Sequence, residues 1–112
     1  MRTHYARNAI AYRAIAARRN LERRKAIRAL ITRAKDRPCA DCGVRYPRYV
    51  MDFDHRDPAA KRYSIGRDGL SKLTVQEFLS EVAKCDVVCA NCHRTRTYAR
   101  RAALGRQDSN LD

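Results

Sequence analysis

The sequence predicts a small α+β protein stapled by a four-cysteine metal site and preceded by a long basic helix. Three observations carry this. Two Cys-x-x-Cys pairs, Cys39/Cys42 and Cys89/Cys92, stand with 46 residues between them. A short stretch able to form a strand lies near each pair, at residues 49–54 and 85–88. The first 37 residues hold twelve Lys/Arg against Glu22 and Asp36, with no Gly or Pro among them.

The elements follow in order. Residues from about Tyr5 to Lys35 are rich in Ala and Arg, both good helix formers. Ile10, Ala14, Ala17 and Leu21 recur at helical spacing, as do Ile27, Leu30, Ile31 and Ala34, with a slip of register near Glu22. Pro38 ends this helix, or pair of helices, because the residue before a proline is pushed out of helical geometry. Cys39-Ala-Asp-Cys42-Gly43 reads as a metal-binding turn. Tyr49–Asp54 alternates as a short strand, and His55-Arg-Asp-Pro58 breaks it. Residues 56–73 are polar, contain Pro58, Gly66 and Gly69, and read as loop. Thr74-x-x-Glu77 is a capping-box pattern that opens a helix to about Lys84. Val75, Phe78, Leu79 and Val82 form its apolar side. Cys85–Val88 is a second strand, and Cys89-Ala-Asn-Cys92 a second metal-binding turn. A basic helix then runs to about Leu104, ended by Gly105. The expected division is a basic helical arm at 1–37, a metal-stapled domain at 38–105 and a disordered tail at 106–112.

Charge narrows the partner. The formal net charge is +13 over 112 residues, and so large an imbalance repels itself unless a polyanion neutralises it. Of this, +10 lies in the first 37 residues and +3 in the rest. Nucleic acid is the expected partner. No apolar run reaches the roughly 18–20 residues of a membrane span, and the charged N-terminus lacks the apolar core of a secretory signal. No membrane partner is expected.

Five cysteines, an odd number in paired C-x-x-C spacing, fit a reducing compartment with four thiolates on one metal and Cys85 left as a buried thiol. Zinc suits two such turns, because each presents two sulfurs to one tetrahedral ion. Four thiolates on Zn²⁺ carry about −2 and bring the net charge to about +11. A closed four-Cys site is structural, with no open position for water. A thioredoxin-like redox role lacks its βαβ setting.

Three histidines remain. His4 sits in the basic arm and is expected in solvent. His55 follows Asp54, and His93 follows Cys92. The zinc ties residues 39–42 to 89–92, and so draws Asp54-His55 toward the helix that carries His93. A carboxylate and two histidines beside a basic surface suit phosphodiester hydrolysis, with one group activating water and a divalent cation stabilising charge. Neighbours on an ideal strand point to opposite faces, so Asp54 and His55 serve one site only if the chain leaves strand geometry there. Otherwise Asp52 or Asp57 supplies the carboxylate. Asn91 is a candidate cap for the helix that follows. Arg96 and Arg100, four apart, and Thr97, four beyond His93, form a face suited to phosphates.

In Cys39-x-x-Cys42, Met51-Asp-Phe-Asp54-His55-Arg-Asp-Pro58 and Cys89-x-x-Cys92-His93-x-x-Arg96-Thr97 the sequence resembles the HNH endonucleases of the His-Me finger (ββα-metal) superfamily. The resemblance spans about Pro38 to Tyr98, and the basic arm is similar to that of small phage-encoded members. It implies a ββα-metal fold and a metal-dependent DNA endonuclease, a phosphodiester hydrolase that nicks or cuts both strands. It implies that His55 activates water and that Asp54 and His93 hold a catalytic divalent ion, Mg²⁺ or Mn²⁺, with Ni²⁺ or Zn²⁺ also accepted at such sites. The chain departs from the family at the middle Asn. Where many members place it, five residues before the second pair of cysteines, this chain has Lys84; Asn91 lies instead inside the knuckle, two residues before His93, and if it is not the cap the resemblance implies that it orders the catalytic loop.

The arm's arginines have no regular spacing onto base edges, so backbone binding is expected of Arg18, Arg19, Arg23 and Arg24, and of Arg94, Arg96 and Arg100 on the last helix. A larger phage replication or packaging protein is a second expected partner for the arm. The expected setting is the reducing cytoplasm of a bacterial or phage-infected cell. The competing reading is a zinc-stabilised DNA-binding module or regulator without catalysis. Composition and cysteines fit both readings; only Asp54, His55 and His93 separate them.

Overall fold

The computed structural model describes residues 2–65 and 72–105, with side chains from residue 8 onward. His4, Gly66, Gly69 and the 106–112 tail, on which expectations fell, lie outside the described side chains or residues. The element order is α1 (Arg2–Lys35), β1 (Met51–His55), α2 (Val75–Val82), β2 (Cys85–Cys89) and α3 (Ala90–Ala103), with 3-10 turns at Arg48–Val50 and Pro58–Ala60.

Helix α1 is one unbroken helix of 34 residues, about 51 Å at 1.5 Å per residue. It accounts for the long axis of a molecule 67 × 30 × 25 Å across. Its charges surround it, so it has no apolar stripe over most of its length. Residues 10–22 are all exposed. Its turns from about Arg23 onward pack on the rest. Ile27 is fully buried with Leu73 and Phe78, flanked by Leu30 and Ile31. The Arg23 guanidinium donates to the Leu73 carbonyl at 2.7 Å, and Lys35 sits 5.2 Å over the Phe53 ring. Arg33 and Lys35 in the last turn suit the negative end of the helix dipole. The basic arm is therefore a helix exposed over residues 10–22, with a C-terminal end that belongs to the core.

Strands β1 and β2 form a two-stranded antiparallel sheet with Met51 opposite Cys89, Phe53 opposite Val87 and His55 opposite Cys85. Side chains directly opposite one another share a face. One face carries Met51, Phe53, His55, Cys85, Val87 and Cys89. The other carries Asp52, Asp54, Asp86 and Val88. Helices α1 and α2 cover the first face, and α3 lies against the second. Phe53 joins two clusters, one of Cys39, Met51, Val87, Val88 and Cys89 and the other of Ile27, Leu73 and Phe78. Its ring meets Phe78 edge-on, 6.3 Å between centroids, a favoured aromatic geometry.

The Thr74–Glu77 capping box closes in both directions, Glu77 N–H to Thr74 Oγ1 at 3.1 Å and Thr74 N–H to Glu77 Oε1 at 3.0 Å. The buried side of α2 differs from the expected stripe. Phe78 and Glu81 are buried, whereas Leu79 is 47% exposed. Glu81 occupies an apolar position because Lys84 and His55 meet its carboxylate there.

Candidate metal centre and the His93 face

The four cysteines Cys39, Cys42, Cys89 and Cys92 bring their sulfurs within 4.8 Å of one another. A tetrahedron of Zn–S bonds of about 2.3 Å needs sulfurs about 3.8 Å apart, so the set fits a structural metal such as zinc. Local backbone builds it. Cys39 N–H donates to the Val44 carbonyl at 2.9 Å and Gly43 N–H to the Cys39 carbonyl at 2.9 Å. Gly43 takes φ +73°, which L side chains rarely adopt. Three backbone N–H groups point at sulfur, from Cys42 and Cys89 to Cys39 Sγ at 3.5 and 3.3 Å, and from Cys92 to Cys89 Sγ at 3.4 Å. Burial pushes the Cys39 thiol up, but the N–H groups of Cys42, Cys89 and Asp41 outweigh it and bring it down to about 6. Such donors favour the thiolate, the form that binds metal. Ala40 N–H donates to the Val87 carbonyl at 3.0 Å and fastens the first knuckle to β2. Cys85 stands apart from this cluster. Its thiol is buried, donates to the Glu81 carbonyl at 3.3 Å, and is pushed up to about 11 by burial and the Glu81 charge.

Helix α3 starts directly from the second knuckle, and Cys89 is its N-cap, its sulfur accepting from Cys92 N–H. Asn91 is therefore not the cap. It is exposed in the first turn, where its carbonyl accepts from the Thr95 hydroxyl at 3.0 Å. One turn of α3 sets His93 over the acidic face of the sheet. His93 Nδ1 lies 3.0 Å from Asp52 Oδ2, and His93 Nε2 lies 3.5 Å from Asp54 Oδ1. An ionised Asp52 can only accept, so a hydrogen sits on His93 Nδ1, with Nε2 turned toward Asp54.

Asp54 is 4% exposed and held by two guanidiniums. Arg100 donates to its two oxygens at 2.8 and 2.9 Å, and Arg96 to Oδ2 at 2.9 Å. Burial would raise the Asp54 carboxyl, but Arg100 and Arg96 outweigh it and hold it below the ordinary carboxylate range. Arg96 also pairs with Asp41 at 2.6 Å through two nitrogens and with Asp86 at 2.9 Å. The arginines expected on phosphates thus face inward onto carboxylates, joining the first knuckle, the sheet and α3. Thr97 caps the carbonyl of His93 at 3.0 Å. The outward side of α3 presents a cleft of about 300 Å³ lined by His93, Arg94, Thr97, Tyr98 and Arg101. A larger basic hollow of about 800 Å³, lined by Arg33, Lys35, Arg45, Tyr46 and Arg48, lies between the end of α1 and the 45–48 segment.

The expected trio divides. Asp54 and His93 meet, whereas β1 keeps strand geometry through His55, which therefore points to the opposite face. There His55 Nε2 is 2.8 Å from Glu81 Oε2. Asp57, the other alternative carboxylate, instead caps the Pro58–Ala60 turn, accepting from Ala59 N–H at 3.0 Å. Among the described residues the four cysteines are the only group of three or more His, Cys, Asp or Glu close enough to share an ion. Asp52, expected from sequence only as an alternative carboxylate, is the partner of His93 Nδ1. Glu81 was not singled out from sequence; its place three residues beyond Phe78 on an apolar helix side could have marked it.

The fold and site define a small α+β protein with a two-stranded antiparallel sheet, a long basic helix and four cysteines positioned to hold a structural metal. None of its described helices is long and apolar enough to cross a membrane. Comparison of the chain with family models, curated proteins and solved structures gives no match.

Proposed function

We propose that this protein is a metal-dependent DNA endonuclease, with Asp54 and His93 holding a divalent ion apart from the structural zinc and His55 activating water from its place at the end of β1, on the other face of the sheet. The observation that carries the reading is the pairing of Asp54 Oδ1 with His93 Nε2 at 3.5 Å, across the junction of β1 and α3. That separation suits two ligands of one small cation. His93 is oriented through its other nitrogen by Asp52, the carboxylate–histidine arrangement that metal-bound imidazoles use. The bound ion would stabilise charge on the phosphate and departing oxygen. Helix α1 supplies the DNA affinity, because its exposed arginines can neutralise phosphates without reading bases.

The test is nicking of supercoiled plasmid with Mg²⁺, Mn²⁺ or Ni²⁺, comparing the wild type with His55→Ala. Nicking that needs the ion and is lost in the variant is expected. Persistence of nicking in the variant removes His55 as the base. A second reading has its own support. Both oxygens of Asp54 accept from arginines, Oδ1 from Arg100 and Oδ2 from Arg96 and Arg100, as in a purely structural ion-pair network. Tight DNA binding by wild type without cleavage under any of the three ions would favour that zinc-stabilised binding module.

A further inference from the structure

The buried carboxylate of Glu81 is used by nothing described so far. It lies in the last turn of α2 and is 1% exposed. A carboxylate so deep requires partners, because an unpaired buried charge is expensive. It has three. Lys84 Nζ donates to Oε1 at 2.6 Å, His55 Nε2 meets Oε2 at 2.8 Å, and the Tyr63 backbone N–H adds another. Burial pushes the Glu81 carboxyl up, yet Lys84 and His55 outweigh it and bring it down to about 2. Glu81 is therefore an anion that can only accept, so the hydrogen at 2.8 Å sits on His55 Nε2.

The surroundings hold this pair in register. His55 is opposite Cys85 in the sheet. Arg56, the next residue, donates its backbone N–H to the Lys84 carbonyl at 3.0 Å and its guanidinium to the carbonyls of Cys85 and Ala83. Lys84 also donates to the Ala60 carbonyl at 3.0 Å. The turn between α2 and β2 is thus fastened to the end of β1 on both sides of His55.

We infer that Glu81 is a positioning residue: its carboxylate, held by Lys84, locks the His55 ring with the proton on Nε2 and leaves Nδ1 as the basic nitrogen. The 2.8 Å contact, the full burial of Glu81 against a mostly buried His55 and the acceptor-only chemistry of the carboxylate together fix this. The inference rests on the nuclease reading for its catalytic consequence, but not for the state of the ring. When Nδ1 takes a proton from water, the imidazolium formed stays paired with Glu81, as a carboxylate stabilises a histidine base elsewhere. Lys84, which stands where the resembled family carries its Asn, acts on His55 only through Glu81.

The experiment uses the full-length, zinc-loaded protein labelled with ¹⁵N at histidine. In wild type near neutral pH, His55 is expected as the Nε2–H tautomer, with that proton slow to exchange. Glu81→Gln is expected to give a tautomer mixture with fast exchange, and a kcat for plasmid nicking lower by about 10–100-fold at unchanged KM, the scale of losing a ligand's orienting partner. If Glu81→Gln fails to fold, Glu81→Asp, which withdraws the carboxylate by one methylene, is read in the same way. An unchanged Nε2–H tautomer in a folded variant overturns the inference, and so does a changed tautomer with unchanged kcat. Should wild type not nick DNA, the nuclease reading fails by itself, and the tautomer comparison alone decides whether Glu81 locks His55.

Discussion

Asp52 and His93 are joined at 3.0 Å through Nδ1, on the same sheet face where Asp54 stands 3.5 Å from Nε2. The two carboxylates are two residues apart on β1 and so share a face, yet they take different parts. Asp52 is half-exposed and meets the ring at Nδ1, while Asp54 is buried and held by Arg96 and Arg100; in the proposed nuclease it is Asp54 that shares an ion with His93. This division makes the roles separable.

Asp52→Asn is expected to weaken divalent-ion binding at His93 by about 10–100-fold, since an amide can present its nitrogen to Nδ1 and no longer fixes the tautomer. Asp54→Asn should remove that site outright. Calorimetric titration of zinc-loaded protein with Mn²⁺ or Ni²⁺ measures both. Equal, small losses in the two variants would contradict the division.

Arg100 and Arg96 bind Asp54 from one helix turn apart, so each has a structural part that sequence alone assigned to phosphates. Arg100→Met should destabilise the fold by about 1.5–3 kcal/mol, the range for a hydrogen bond to a charged group. Arg94→Met, at an exposed position on the same helix, should stay within about 0.5 kcal/mol. Urea unfolding of the two variants gives the comparison. A neutral Arg100→Met would return that residue to the phosphate face.

The acid limb of stability should report Glu81. Its folded value, about 2, lies below the ordinary 4.5, so the unfolded chain binds the proton first. Its contribution is complete above pH 4.5 and is lost as pH falls toward 2. Wild type and Glu81→Gln should therefore differ most above pH 4.5 and converge toward pH 2. Unfolding of both variants between pH 2 and 6, with the common acid lability of the cysteine site cancelling in the difference, measures this. A gap that stays constant across that range would mean Glu81 is not held as an anion.

Much of the architecture was legible because it rests on local signals. Thr74-x-x-Glu77, Gly105 and the paired cysteines fix helix ends and knuckles within a few residues, and each was read where it lies. The sheet register was not legible, since it depends on where β1 ends. Strand geometry continues through His55, so Asp54 and His55 part to opposite faces and each takes partners that are remote in sequence. Glu81 was hidden for the same reason: an acid on an apolar helix side makes sense only once His55 and Lys84 are seen beside it. Likewise the slip near Glu22 hid that Ile27, Leu30 and Ile31 serve the core while the residues before them do not.

Metal removal should unfold the sheet end of the molecule. The four thiolates tie a knuckle at 39–42 to another at 89–92, and zinc bound by such sets contributes roughly 10–16 kcal/mol in small domains. One zinc per chain is expected by elemental analysis. Chelation, or Cys39→Ser, should abolish the cooperative thermal transition, whereas Cys85→Ala should keep the zinc, because Cys85 lies outside the cluster. A folded, zinc-free Cys39→Ser protein would contradict the site.

Truncation separates the two parts of α1. Removal of residues 1–22 keeps Arg23 on Leu73 and Ile27 in the core, so thermal stability should change little. DNA affinity should fall, and its dependence on salt should flatten, because each lost phosphate contact removes about 0.9 from the slope of log K against log salt. With six or more contacts, the intact chain should lose about 10³-fold in affinity or more between 50 and 200 mM salt. Removal of residues 1–37 also takes Ile27, whose loss alone is worth about 2–5 kcal/mol in a packed core, and should leave the remainder unfolded or molten. Binding isotherms over a salt series, with circular dichroism on the same samples, test both cuts. If the longer cut still melts cooperatively near the wild-type temperature, α1 is a separable arm along its whole length. If the shorter cut leaves the salt slope unchanged, the phosphates are met by α3 and the 45–48 segment instead.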